Sequence, residues 1–421
     1  MNGSPQADRH STELDAVTEQ DAVTERGEVT EPDEVTERGE VTEPGDPSWA
    51  HEASRLAILF VLTRVTLTVI GVVSRALVPG PVFRPMPLGA GPVFSKFSFL
   101  DVWGAWDSSW YISIARVGYQ PDLLEGPFAN YAFFPLFPLL SRAVGWLFDN
   151  VFIGGLVVAN AALLVACLFL YRLVLLDHDV ATARRTVKYL FAAPGAFYLS
   201  GMLTESLYLA LVVMCFYFAR TRRWWLVGAC GLLLTLSRGP GVLTGVPLLW
   251  IYLSQRGFSL RRLRPDVLWL AALPIGILVF MWMNYELTGD PLAFAHIQTT
   301  GWGHRLQNPL TALWREMTAG DVFNRFNASY MFGVLAVTVA FLRKLGVAYG
   351  AFALLSVLFA LAYGPPFSSL LRYSVVIFPL YIVLARFTRS RPEVDHAITI
   401  AAALMQGFLM SLWANSSFLT V

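Results

Sequence analysis

Along this chain, apolar positions gather into long, nearly unbroken runs joined by short polar segments, a pattern that predicts membrane-crossing helices over amphipathic surface ones. Stretches near the roughly 20 residues needed to cross hydrocarbon run from Leu56 to Val78, Val151 to Leu176, Val267 to Tyr285 and Ile398 to Trp413. Shorter ones fill the gaps: Lys188 to Thr204, Ser206 to Ala219, Trp224 to Leu236, Gly241 to Leu253, Tyr330 to Phe341, Gly346 to Ala362 and Leu370 to Ala385. The expected fold is all-α, a polytopic transmembrane helical bundle of about eleven spans. The apolar run Phe133 to Phe148 is read instead as a helix lying on the outer surface.

The first 50 residues break this pattern. Val-Thr-Glu recurs every six residues, at Val17, Val23, Val29, Val35 and Val41, interrupted by Gly and Pro. A period of six suits neither a helical stripe nor a heptad, and so acidic and aromatic-poor a segment cannot bury enough surface to fold. Residues 1–50 are therefore expected to be a disordered, cytoplasmic acidic tail, and residues 51–421 the membrane domain. With no basic start and apolar core of a cleavable signal peptide, the first span is expected to act as the anchor.

Composition agrees. Of 421 residues, 55% are hydrophobic and 14% charged, with mean hydropathy +0.53, against roughly 45–50% apolar and 25% charged in soluble domains. The net charge of +1 hides a division: residues 1–50 carry 14 acidic and 3 basic side chains, the remainder 16 and 28. The basic clusters set the orientation, because loops rich in Lys and Arg stay cytoplasmic. Arg184, Arg185 and Lys188; Arg220, Arg222 and Arg223; Arg256, Arg261, Arg262 and Arg264; Arg343 and Lys344; and Arg386, Arg389 and Arg391 all fall on one side if Phe133–Phe148 does not cross. Two long aromatic-rich loops, residues 79–150 and 286–329, are then outside, and loops of that length are usually functional. Cys167, Cys215 and Cys230 lie in apolar runs, where cysteine behaves as a small hydrophobe. Neither a disulfide framework nor a metal site is expected, and no nucleic-acid partner.

Ionisable residues near lipid are functional candidates by default. Glu205, Arg238 and Arg372 come to the outer ends of their spans under this topology. Arg64, inside the first span, is the plainer case of a side chain reaching for the inner surface. The same outer face carries Trp106-Asp107-Ser108-Ser109-Trp110-Tyr111, running on to Gly118-Tyr119. In a helix, Asp107, Trp110 and Tyr111 fall on one face at i, i+3 and i+4. A carboxylate among aromatic rings at a membrane surface suits a sugar hydroxyl that must lose its proton, and the rings also suit the aromatic belt at the headgroups.

These blocks, followed by Phe133-Phe134-Pro135-Leu136-Phe137-Pro138-Leu139, by Leu203-Thr204-Glu205-Ser206-Leu207-Tyr208, by Ser237-Arg238-Gly239-Pro240-Gly241 and by Arg372-Tyr373 with Phe378-Pro379, resemble the PIG-V family of mannosyltransferases. Its eukaryotic members add the second mannose to the GPI anchor precursor. Gly289-Asp290-Pro291-Leu292-Ala293-Phe294 with Gln298, Trp302 and Arg305 resembles a block of its bacterial relatives. The resemblance runs from residue 55 to the C-terminus and implies a GT-C architecture, a polyprenyl-phosphate sugar as donor, and a catalytic site on the extracytoplasmic face of the cell membrane with its base in the first outer loop. The tail and composition resemble actinobacterial proteins, and bacteria make no GPI anchor, so the glycolipid, glycan or protein acceptor stays open.

On that reading Asp107 is the general base and Arg238 or Arg372 holds the departing phosphate, with no cofactor or metal required. Trp106, Trp110, Tyr111, Glu205, Arg305 and Tyr373 join them as substrate-binding candidates. Asp101 ranks second as base, Asp290 reads as a Gly-Asp-Pro turn, and His296 and His304 are weaker ligand candidates. The rivals are a sugar or lipid transporter, which would show paired repeats and broken helices at the midplane, and a non-catalytic envelope-assembly partner, which would tolerate loss of Asp107.

Overall fold

A computed structural model describes residues 49–78, 82, 84–85, 91, 93–120, 128–364, 367 and 369–420. The expected acidic tail lies outside the described residues except for Trp49 and Ala50, and Ser48–Val421 forms one compact unit. Every regular element among the described residues is helical. In chain order they are α1 Trp49–Leu77, α2 Ser98–Asp101, α3 Ser108–Val117, α4 Leu136–Gly145, α5 Val151–Leu175, α6 Val180–Ala192, α7 Glu205–Arg220 and α8 Trp224–Ser237. There follow α9 Gly245–Ser254, α10 Ala272–Thr288, α11 Ala293–Thr300, α12 Pro309–Ala319, α13 Val322–Ala362, α14 Leu370–Ser374, α15 Pro379–Phe387 and α16 Pro392–Ala414.

Among the described residues, five helices are long and apolar enough to cross a membrane: α1, α5, Pro265–Thr288 (a 3-10 turn continued by α10), α13 and α16. The four longest expected stretches each lie in one of them. On α1, Ile58, Leu62, Val65 and Val69 are exposed along one face, which suits lipid because a helix satisfies its own backbone there. Both Tyr330–Phe341 and Gly346–Ala362 lie in α13, whose only non-helical residue is Gly346, at φ +73° and ψ 170°. A glycine adopts that conformation without the clash a Cβ brings, so the two expected helices are separate rods in all but name.

At the centre is α7. From Glu205 to Ala219 nearly every side chain is buried, the signature of a helix surrounded by protein on all sides. It packs on α5, whose buried Gly154, Gly155, Ala159, Ala162 and Ala166 let neighbouring backbones approach closely.

Two expected spans are broken, and each break bears on the site. The stretch Lys188–Thr204 is not one helix: α6 stops at Ala192, because Ala193 precedes Pro194 and takes an extended ψ of 139°, the conformation a following proline favours. Residues 193–204 then run as turns buried inside the protein. Backbone groups of this segment are met internally, with Met202 N–H donating to Trp103 O at 3.1 Å and the Asn160 amide to Ser200 O at 3.3 Å. Arg64 is corrected by the same segment. Rather than reaching the inner surface, its Nη1 donates to Ser200 Oγ at 2.7 Å and Ala196 O at 3.3 Å, tying α1 to the turn. Leu370–Ala385 is also interrupted, α14 ending at Ser374 and α15 beginning at Pro379.

The apolar run Phe133–Phe148 forms α4 and a terminal 3-10 turn, with Trp146 and Leu147 exposed. Its seat on α5 is a contact of backbone on backbone: a Cβ added at Gly154 would overlap Gly145 and the Ser141 carbonyl. Substituting Gly154→Val should therefore push α4 away and destabilise the protein by about 1–3 kcal/mol. A lowered thermal midpoint in detergent is the expected reading; an unchanged one would show that α4 is not seated there.

Candidate active site

Four charged side chains from four distant parts of the chain meet between α3, α7, α8 and α14. Asp107 Oδ2 lies 2.6 Å from Arg372 Nη1; Arg372 Nε lies 3.0 Å from Glu205 Oε1; and Arg238 Nη1 donates to the same Oε1 at 2.5 Å. The signs alternate along this chain. The Arg372 Nε contact is an ion pair without the alignment of a hydrogen bond, and Glu205 Oε2 has no partner among the described residues. Burial differs along the row: the side chain of Glu205 is 1% exposed, those of Arg372, Arg238 and Asp107 are 8%, 12% and 18% exposed.

Local sequence explains each position. Asp107 is the N-cap of α3, but at φ −61° and ψ −17° its side chain makes no cap bond; caps normally take extended angles. The carboxylate is thereby left for Arg372. Just before it, Trp106 is held at φ +49°, uncommon for a bulky residue. Its ring is buried against Phe418, centroids 5.1 Å apart. Arg238 leaves α8 in an extended conformation at φ −159° and ψ 137°, with Gly239 and Pro240 ending the helix behind it. Its guanidinium sits over the Tyr373 ring at 4.8 Å, a favourable cation–π distance. Arg372 rides on the five-residue α14, pinned by Ser374 Oγ donating to Leu371 O at 2.7 Å and paired with the Tyr330 hydroxyl at 3.1 Å.

A cavity of about 370 Å³ opens against this row, within the range of small-ligand sites. Asp107, Tyr111, Arg238, Arg372 and Tyr373 all line it. Phe133 and Phe134 come from the segment before α4; Phe294, Gln298, Trp302 and His304 from α11 and the residues after it; Phe359 and Tyr363 from the end of α13; Ser237 and Ser369 complete the polar lining. Tyr119 donates to Phe133 O at 2.8 Å, so this residue is a latch holding the aromatic wall. Burial, with Asp107 and Glu205 nearby, pushes the Tyr111 phenol up, leaving a neutral hydroxyl. Burial pushes the His304 imidazole down, so it too is neutral near pH 7.

Of the sequence candidates, Trp106, Trp110, Glu205 and Arg305 do not line the cavity. Trp110 stacks on Phe133 at 5.6 Å and meets Trp302 edge-on at 5.8 Å; it supports the wall from behind. Glu205 lies beneath the arginines and positions them. Arg305 is exposed. Asp101, second choice as base, is fully engaged: Oδ1 accepts from the Phe94 and Ser95 amides at 3.0 and 3.1 Å, and Oδ2 takes Arg75 and Arg84, both at 2.7 Å. Burial alone would raise its pKa, but the Arg84 bond and charge and the two amides outweigh it and hold the carboxyl below its usual range. Asp101 clamps the segment before α3 to α1. Asp290 accepts from Leu292 N–H at 2.9 Å and meets His296 at 2.6 Å on the surface, which makes it the expected turn. Tyr363 and Phe359 escaped sequence reasoning, because a ring at the end of an apolar run carries no mark of facing a cavity. Among the described residues, no group of three or more His, Cys, Asp or Glu side chains converges.

No family model matches the sequence, and no curated protein matches it. Among solved structures, the chain is similar to ArnT from Cupriavidus metallidurans bound to undecaprenyl phosphate, at 14% identity and TM-score 0.45, covering 87% of this chain and 77% of that one. It is also similar to the Archaeoglobus fulgidus oligosaccharyltransferase tethered with an acceptor peptide, at 15% identity and TM-score 0.39, over 85% of this chain. The chain spans about half the length of that archaeal protein, 55%. Neither likeness assigns a role to a residue here.

Removing a partner from a buried ion pair costs about 3–5 kcal/mol, and Glu205 serves two. Glu205→Gln should lower the thermal midpoint accordingly, and inorganic phosphate should restore more of it in the variant than in the unaltered protein, since it supplies the missing negative charge to Arg238 and Arg372. An unchanged midpoint would show that the carboxylate does not hold the arginines.

Proposed function

We propose that this chain is a membrane glycosyltransferase that moves a hexosyl residue, mannosyl on the PIG-V resemblance, from a polyprenyl-phosphate sugar to an acceptor hydroxyl on the extracytoplasmic face. The observation that carries the reading is the convergence on one cavity of a carboxylate not used as a helix cap and two guanidiniums, Asp107, Arg238 and Arg372, all within motif blocks that resemble that family.

The chemistry follows from the groups present. The acceptor oxygen attacks the anomeric carbon, the bond from that carbon to the phosphate oxygen breaks, and the electron pair leaves with the prenyl phosphate. The hydroxyl proton passes to Asp107. Guanidiniums present a fork matched to phosphate oxygens, so Arg238 and Arg372 take up the charge that develops on the leaving group. Phe133, Phe134, Trp302 and Tyr363 offer faces and edges to a sugar ring, while the Tyr111 hydroxyl, Gln298 and Ser237 offer hydrogen bonds to its hydroxyls.

A positioned general base contributes about 10²- to 10⁴-fold. Membranes carrying the protein should transfer mannose from a polyprenyl-phosphate donor, and Asp107→Asn should reduce transfer by that factor with the protein still present at its normal level. Normal turnover in the variant would remove Asp107 from the mechanism. The same assay in detergent separates transfer from transport, because no compartment remains: donor-dependent product there is expected, and its absence would favour the transporter.

A further inference from the structure

A second cavity, of about 270 Å³, lies at the other end of the elements that build the candidate active site. Three of them connect the two. The helix α7 begins at Glu205 and ends at Arg220, whose guanidinium gives two 2.6 Å bonds to Asp177 beside this cavity. The second rod of α13 runs from Gly346, which lines it, to Phe359, which lines the first; and the stretch from Arg372 to Arg386 joins them likewise. The 16 residues of α7 put the two sites about 24 Å apart along its axis, close to the thickness of a hydrocarbon core.

The lining combines basic and apolar side chains. Arg343, Lys344 and Arg386 face it, with Leu345, Ile382 and Val383. Its one lining carboxylate, Asp177, is already matched by Arg220. Among the described residues neither Arg343, Lys344 nor Arg386 forms an ion pair; Arg386 donates instead to Lys344 O at 2.9 Å. Three cations are thus gathered against one carboxylate, Asp177, which Arg220 already pairs and which also feels the Arg386 charge, beside the C-terminal end of α5 and the break in α13. Leu175, Leu176 and Val347, beside the cavity in sequence, are exposed apolar side chains. A free phosphate has no use for that apolar border. A phospholipid does: its phosphate meets the cations and its acyl chains continue along the exposed leucines and valine.

We propose that this cavity binds the headgroup of an anionic phospholipid in the leaflet opposite the candidate active site, the cytoplasmic one by the distribution of basic loops. Arg343 and Lys344 hold the phosphate from the break in α13, and Arg386 holds it from α15. The kink at Gly346 favours this, because it brings Leu342 of the first rod against Gly350 of the second, where a Cβ would lie 2.9 Å from Leu342 Cδ1. This inference stands independently of the transferase reading.

The test uses the full-length protein in detergent, titrated with short-chain phosphatidylglycerol, phosphatidylcholine and inorganic phosphate and followed by thermal midpoint and native mass spectrometry. Phosphatidylglycerol should bind and raise the midpoint, phosphatidylcholine should not, and inorganic phosphate, which the candidate active site also has cations for, should raise it less, and equally when Arg343 and Lys344 are substituted. In the double variant Arg343→Gln, Lys344→Gln, at exposed positions outside the candidate catalytic machinery, phosphatidylglycerol affinity should fall about tenfold or more. In the unaltered protein, a photoactivatable phosphatidylglycerol should crosslink to residues 343–349 and 382–386. Equal binding of phosphatidylcholine, equal stabilisation by inorganic phosphate, unchanged affinity in the double variant, or crosslinks confined to other segments would each overturn the proposal.

Discussion

A carboxylate shared by two buried arginines is the constraint on which the rest of this structure turns. Moving ions out of water costs several kcal/mol each, and nothing in an apolar bundle offsets that except opposite charge at short range. Glu205 meets Arg238 and Arg372 on the same oxygen, and Arg372 passes its charge on to Asp107. Because these residues come from the start of α7, the end of α8, the short α14 and the loop before α3, the row can form only when all four elements are in register. Glu205 also sits in the first turn of a helix, where the macrodipole favours a negative charge.

Around that row the architecture alternates rigid and irregular pieces. The helices α5 and α7 are packed through small residues and fix the centre, while the segments 193–204 and 375–378 interrupt what would otherwise be continuous spans. Interrupted backbone inside a membrane protein is tolerated where it is buried in protein or borders a cavity. The 193–204 turn is the buried kind, satisfied by Trp103, Asn160 and Arg64. The break after Ser374 lies next to the cavity and frees α14 to present Arg372 and Tyr373 sideways, which a residue in an uninterrupted lipid-facing helix could not do.

Much of this was legible in the sequence. Long apolar runs marked the spanning helices, and counting basic loops placed Asp107, Glu205, Arg238 and Arg372 on one face, where the structure joins them. Less legible was the direction of side chains. Trp106 and Trp110 flank Asp107 in sequence, yet the left-handed backbone at Trp106 and the stacking of Trp110 on Phe133 turn both rings away from the cavity. Helical spacing says which residues share a face and not what covers that face. For Glu205 the sequence offers two roles, a contact for acceptor hydroxyls or a partner for an arginine, and it is paired with two arginines from elements far apart in the chain. Pro194 and Pro379 were visible, but their effect was masked by apolar neighbours that made a continuous span seem sufficient.

The pairing of Asp107 with Arg372 sets a condition on the proposed chemistry. A carboxylate held 2.6 Å from a guanidinium has one lone-pair direction committed, and that guanidinium screens the charge that would draw a proton. In the proposed mechanism a phosphate entering beside Arg238 competes for the same fork; the donor's phosphodiester carries one negative charge, as the carboxylate does, and its claim strengthens as the anomeric bond breaks and a second charge develops. On this proposal Arg372 turns to the phosphate while the ion pair of its Nε with Glu205 at 3.0 Å limits the rotation, and the proposed base, Asp107, is exposed by the donor's own phosphate. The ordering so proposed keeps a basic carboxylate from standing unpaired in a low-dielectric cavity before there is a leaving group to use it, with Arg372 keeping Glu205 as its fixed partner and exchanging Asp107 for the phosphate.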